Sequence, residues 1–246
     1  MNIKDLIINY YNNDINKEKY GKSIDKSGLW QSEKVMFEKY VKKTDKILDL
    51  GCGAGRTTIN LYRLGYQNII GLDISDELLQ HATNYVEKNN LNIEFILSDA
   101  TKIEYDPDTF DTVFFSYNGL MCIPKHENRE KIFKNVYKIL KSNGIFIFTE
   151  QDRDGFADFK QFWIEEKSKW DNGTHDKDLY EYGDTIDVDV TGEKTFIHFS
   201  SIKEIEELVI KCDFKILECK KRSDIAEEND EVKQFSGETV FWVLQK

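Results

Sequence analysis

Asp49-Leu50-Gly51-Cys52-Gly53-Ala54-Gly55-Arg56 is the stretch whose reading decides the fold. It follows the run Lys46-Ile47-Leu48 and leads into a helical pattern over 57–64. The order is therefore strand, glycine-rich turn, helix start. Glycines at alternate positions allow a left-handed backbone and leave no Cβ between the chain and a ligand. The helix that follows offers unpaired N–H groups to a polar or anionic group. A nucleoside triphosphate would need Lys-Ser/Thr after the last glycine, where Arg56-Thr57 stands. A dinucleotide turn would place its third glycine one position later than Gly55.

Asp49 separates the remaining possibilities. A carboxylate at the mouth of the turn repels a pyrophosphate and suits a ligand that carries an ammonium group. S-adenosyl-L-methionine carries an ammonium, a carboxylate and a cationic sulfonium. The octapeptide, in its strand–turn–helix setting, resembles motif I of the class I S-adenosylmethionine-dependent methyltransferases. The resemblance implies an α/β, Rossmann-like fold. Its sheet would be seven-stranded and mostly parallel with an antiparallel last strand, with helices on both faces. It also implies S-adenosyl-L-methionine as cofactor, contacted at Asp49, Gly51, Cys52, Gly53 and Arg56.

The rest of the chain is consistent with that class. Its 246 residues suffice for one α/β domain with an insertion, and 40% apolar residues can build a core. A net charge of −11 and a pI of about 5.0 make nucleic acid an unlikely main partner, because phosphate binding relies on clustered Lys and Arg. Cys52, Cys122, Cys212 and Cys219 form no C-x-x-C pair and no zinc spacing, so no metal is expected. Reduced thiols, no basic-then-apolar leader and no run of about 18 apolar residues lead to the expectation of a cytoplasmic protein without a membrane span.

Further along, 68–73 reads as a second strand ending on Asp73, about 20 residues past the turn, where a short carboxylate can accept both ribose hydroxyls. Ile74 is expected against the adenine edge. A helical face follows at Leu78, Leu79, Ala82, Tyr85 and Val86. The third strand, 93–97, leads to Asp99 and Ala100. Asp99 can accept from the adenine amine while the Ala100 N–H donates to a ring nitrogen, an arrangement similar to the acidic motif of the same family. The fourth strand, 110–116, is apolar throughout and runs into Ser116, Tyr117 and Asn118. In the family this strand end faces the departing methyl. The chain has Ser116-Tyr117-Asn118-Gly119 where adenine-N6 and glutamine methyltransferases carry Asn/Asp-Pro-Pro-Tyr/Phe. That departure points to a small-molecule acceptor. Ser116 and Tyr117 are then expected near the cofactor's methionine part and Asn118 on the substrate side.

A helix over 127–141 should stop at Ser142-Asn143-Gly144, before a fifth strand at 144–150. A helix at 201–212, strands at 214–220 and 238–245 and an acidic loop at 224–237 complete the pattern. Two segments lie outside it. Residues 1–45 are expected to form an N-terminal helical cap on a 46–246 methyltransferase domain, with Tyr11, Tyr20 and Trp30 lining the pocket. Residues 151–200 are expected to form an inserted lid. Phe156, Phe159, Trp163 and Trp170 would face one helix of it, and a hairpin would turn at Thr191-Gly192-Glu193. Trp163 is a further substrate-side candidate. Methyl transfer needs a nucleophile held roughly 3 Å from the methyl and water excluded, and a general base helps without being obligatory. His198 and Tyr117 are the candidate bases, with His175 and Glu150 behind them. A protein or RNA methyltransferase and a non-catalytic cofactor-binding protein are the alternatives, as monomer or homodimer.

Overall fold

The computed structural model describes residues 2–155, 159–189 and 191–246. Three helices come first, α1 (Ile3–Asn12), α2 (Asp14–Lys26) and α3 (Gln31–Tyr40). Then β1 (Ile47–Leu50), α4 (Arg56–Arg63), β2 (Ile69–Asp73), α5 (Asp76–Lys88), β3 (Glu94–Leu97) and β4 (Phe110–Phe115) alternate as βα units. They are followed by α6 (His126–Ile139), β5 (Leu140–Glu150), α7 (Lys160–Asp171), β6 (Asp184–Val188) and β7 (Lys194–His198). The chain closes with α8 (Ile202–Lys211), β8 (Lys215–Lys221), α9 (Arg222–Ile225), α10 (Asp230–Phe235) and β9 (Val240–Gln245).

Seven strands form one sheet in the order β3-β2-β1-β4-β5-β9-β8. The first five pair in parallel, and β9 runs antiparallel to both β5 and β8. The expected architecture is therefore the one observed. Strand order reverses between β1 and β4, and ligands of such sheets bind in the crevice beyond the strand ends at that reversal. Both faces are covered, which is why the strands read as apolar runs rather than alternating ones. Along β5, Phe146 and Phe148 pack with Phe133 of α6 and Leu208 of α8. Ile145 and Ile147 between them pack with Phe37 of α3 and Leu61 of α4 on the opposite face.

Two local expectations change, at the end of α6 and in the acidic stretch. α6 stops at Ile139, because Leu140 is already extended (φ −70°, ψ 139°) and pairs with Phe110. α2 is capped by the Asn13 side chain, which accepts from the Asn16 N–H. The acidic stretch at 224–237 holds the end of α9 and all of α10 rather than a loop alone. The hairpin begins at Asp184 and pairs Val188 with Lys194 across the expected turn. Phe156, named among the expected lid residues, lies outside the described residues.

Candidate active site

Gly51, Gly53 and Gly55 all have positive φ, 69°, 54° and 84°. They carry the chain from β1 over the sheet edge into α4, whose N-cap is Gly55. At Gly51 a side chain is excluded twice over, since an added Cβ would lie 2.5 Å from Phe115 Cε2. The turn is pinned from the next strand. The Gly53 N–H donates to Asp73 Oδ2 at 2.7 Å and the Ser75 N–H donates to Asp73 Oδ1 at 2.8 Å. Burial raises the Asp73 carboxyl, and these N–H groups partly offset it.

A cavity of about 330 Å³ opens above this turn. Gly51, Cys52, Gly53 and Arg56 line its first wall; Asp73, Ile74, Asp99 and Ala100 line its second. Ser116, Tyr117, Tyr11 and Tyr20 complete the opposite end. The structure thus brings together twelve of the residues singled out in the sequence.

Asp49, Trp30, Asn118, Trp163 and His198 do not line the cavity. Asp49 is fully buried beneath the turn instead of at its mouth. It pairs in register with Gly71 and Phe114 in the sheet centre, and its Oδ2 accepts from Thr58 Oγ1 of α4 at 2.6 Å. Trp30 is buried with the guanidinium groups of Arg56 and Arg222 over its ring, at 4.8 and 5.4 Å from the centroid. Asn118 is left-handed (φ 61°) and completes the turn after β4, its N–H donating to Thr149 Oγ1. Trp163 packs against Phe162, Tyr182 and Phe199, all within 151–200. His198 lies in β7 with Nδ1 2.7 Å from Asp184 Oδ1, away from the cavity. Burial lowers its pKa.

No general base emerges from the other candidates. His175 stacks on Trp170 at 3.7 Å, and Glu150 is buried off the cavity, where burial pushes its carboxyl well above the usual range. Tyr117 donates its hydroxyl to the Phe235 carbonyl at 3.0 Å, and burial pushes it up to about 12.

Three residues on or behind the wall left no signal in the sequence. Lys4 of α1 reaches Asp99 Oδ2 at 2.6 Å. Burial would raise the Asp99 carboxyl, but Lys4 and Thr101 outweigh it and hold it below the usual range. Glu33 of α3 takes both guanidinium nitrogens of Arg56, at 2.7 and 2.6 Å. Phe235 of α10 stacks on Tyr117 at 5.0 Å. Each is brought in by an element remote in sequence.

The buried Asp49 carries a pH signature. Burial raises its pKa to about 7, against an ordinary carboxylate value of about 4. The folded state therefore holds a proton that the unfolded chain has released. That contribution is fully present below about pH 4 and is lost as pH rises through about 7. Asp49→Asn is expected to remove it, so the variant's melting temperature should gain on the wild type between pH 5 and 8. Parallel pH profiles would contradict the assignment.

The wall chemistry suits an adenosyl compound better than a phosphate. Lys4 is paired with Asp99, Arg56 with Glu33, and Lys125 lies over the Tyr180 ring at 4.6 Å. An anionic phosphate would find the first two cations neutralised and a carboxylate, Asp73, facing it. Vicinal hydroxyls would find in Asp73 an acceptor with spare lone pairs.

Residues 47–144 match a family model described as a methyltransferase domain. Sterol 24-C-methyltransferase of Kluyveromyces lactis is 28% identical over 227 residues, covering 90% of this chain and 53% of that protein. Carboxy-S-adenosyl-L-methionine synthase of Nautilia profundicola is 31% identical over 117 residues, covering 47% and 48%. The chain spans about half the length of the curated relatives it matches. A SAM-dependent methyltransferase from Methanosarcina mazei superimposes with a TM-score of 0.69 at 21% identity, covering 89% of this chain and 98% of that one, a likeness of fold. Domain match, sheet order and glycine turn agree: residues 47–144 match the methyltransferase-domain family, on a sheet with the fold of methyltransferases whose cofactor is S-adenosyl-L-methionine.

Proposed function

We propose that this protein transfers a methyl group to a small-molecule acceptor by in-line displacement. S-adenosyl-L-methionine, when bound, supplies a methyl carbon already activated by a positive sulfur. Asp73 holds the ribose, Ile74, Asp99 and Ala100 hold the adenine, and the glycine turn receives the amino-acid end. Ser116 and Tyr117 border the path to the acceptor, at the end of β4.

The observation that carries this reading is the continuity of the cavity from Asp73 and Asp99 to an aromatic end roofed by Tyr11 and Tyr20. Residues 1–45 act here as a cap that excludes water, which methyl transfer requires. A polynucleotide or a protein loop would need that roof removed. The relatives' printed names, sterol and phosphoethanolamine methyltransferases among them, also favour small acceptors. Among the described residues no helix is long and apolar enough to cross a membrane.

The test is a radiolabelled methyl screen against metabolite pools, tRNA and cell protein. Label is expected in the metabolite fraction. Label confined to tRNA or protein would favour the macromolecular alternative, and cofactor binding without label in any fraction would favour a non-catalytic binding protein.

A further inference from the structure

The end of the cavity beyond Ser116 is an aromatic box assembled from three distant parts of the chain. Tyr11 and Tyr20 come from α1 and α2, Tyr117 from the turn after β4, and Phe235 from α10. Their ring centroids lie 5.6 Å apart for Tyr11–Tyr20, 6.1 Å for Tyr20–Tyr117, 6.2 Å for Tyr20–Phe235 and 5.0 Å for Tyr117–Phe235. The face of an aromatic ring is negative and attracts a cation. These rings already do so: the Lys19 ammonium, which does not line the cavity, lies 5.6 Å from the Tyr20 centroid and 5.8 Å from that of Phe235.

Among the described residues the cavity's carboxylates are Asp73 and Asp99, and no histidine lines it. Asp73 is bonded to Gly53 and Ser75, and Asp99 to Lys4 and Thr101. Burial raises the Tyr11, Tyr20 and Tyr117 hydroxyls above the ordinary tyrosine value, which already leaves them protonated at neutral pH. The nearby Arg56 guanidinium is neutralised by Glu33. Among the described residues the box therefore offers a cationic product a favourable surface and offers the reactant no histidine and no unbonded carboxylate as base.

We infer that the acceptor is a neutral amine, and that the ammonium formed from it is held against the faces of Tyr20, Tyr117 and Phe235. The inference rests on the methyl-transfer reading above. In the step, the nitrogen lone pair forms the new N–C bond while the C–S bond breaks with its electrons left on sulfur, so positive charge passes to nitrogen. A tertiary amine has no N–H to lose, so the step needs no base; a primary or secondary amine releases its proton to water afterwards. A hydroxyl acceptor gains most from a general base, and among the described residues no histidine and no carboxylate besides Asp73 and Asp99 lines the wall. A thiolate would bring negative charge against negative ring faces.

The experiment is titration calorimetry on the protein saturated with S-adenosylhomocysteine, using choline and its uncharged isostere 3,3-dimethylbutan-1-ol as probes. Choline is expected to bind about tenfold more tightly. Tyr20→Leu and Phe235→Leu should each reduce that preference to about threefold or less, and Tyr20→Phe should keep it. Equal affinities, tighter binding of the isostere, or no binding of choline by wild type would overturn the inference. The wild-type comparison decides the matter if a leucine variant does not fold. Binding of S-adenosylhomocysteine, measured first, tests the methyl-transfer reading separately.

Discussion

Glu33→Ala is expected to lower the unfolding free energy by about 3–5 kcal/mol. Glu33 is fully buried, and its partner Arg56 is only 6% exposed. Both guanidinium nitrogens lie on the Glu33 carboxylate, one also donates to the Gly28 carbonyl, and the Trp30 ring covers the group. Removing the carboxylate strands a charge with one neutral acceptor, and that uncompensated burial dominates the cost. Glu33→Gln retains a carbonyl oxygen and should lose less. Arg56 opens α4 and lines the cavity, so the alanine variant should also bind S-adenosylhomocysteine more weakly. Urea denaturation of the three proteins measures the first effect. A loss below about 1 kcal/mol would mean the pair is replaceable by solvent.

Asp73→Ala is expected to weaken S-adenosylhomocysteine binding by at least about tenfold, because two ribose hydroxyls lose their acceptor. The structure enlarges this expectation. The same carboxylate anchors Gly53 and Ser75, so its removal also frees the glycine turn. Asp73→Asn separates the two roles. It keeps an acceptor oxygen for one N–H and should fall between wild type and alanine. Calorimetry at constant pH reads both variants, and an unchanged affinity in Asp73→Ala would refute the ribose assignment.

What the sequence revealed and what it hid follow one physical line. The positions of the glycine turn, Asp73 and Asp99 on the cavity wall were legible because each ends or follows a short strand. There, local geometry alone decides where the backbone goes. Even so, nearness to the glycines made Asp49 look exposed. Its place in the middle of β1, between two strands and under α4, buries it, and only the sheet register could reveal that. Trp30 and Trp163 illustrate a second limit. An aromatic residue packs equally well in a core or on a cavity wall, and its spacing carries no information on which. Lys4, Glu33 and Phe235 mark a third. They meet Asp99, Arg56 and Tyr117 across gaps of 95, 23 and 118 residues, and such contacts are written in tertiary packing alone.

The most direct measurement is calorimetric titration of the wild-type protein with S-adenosylhomocysteine, alongside NADH and ATP. The account predicts that one molecule of S-adenosylhomocysteine binds per chain and that neither of the other two binds or competes. Saturable binding of NADH or ATP with no heat from S-adenosylhomocysteine would contradict it.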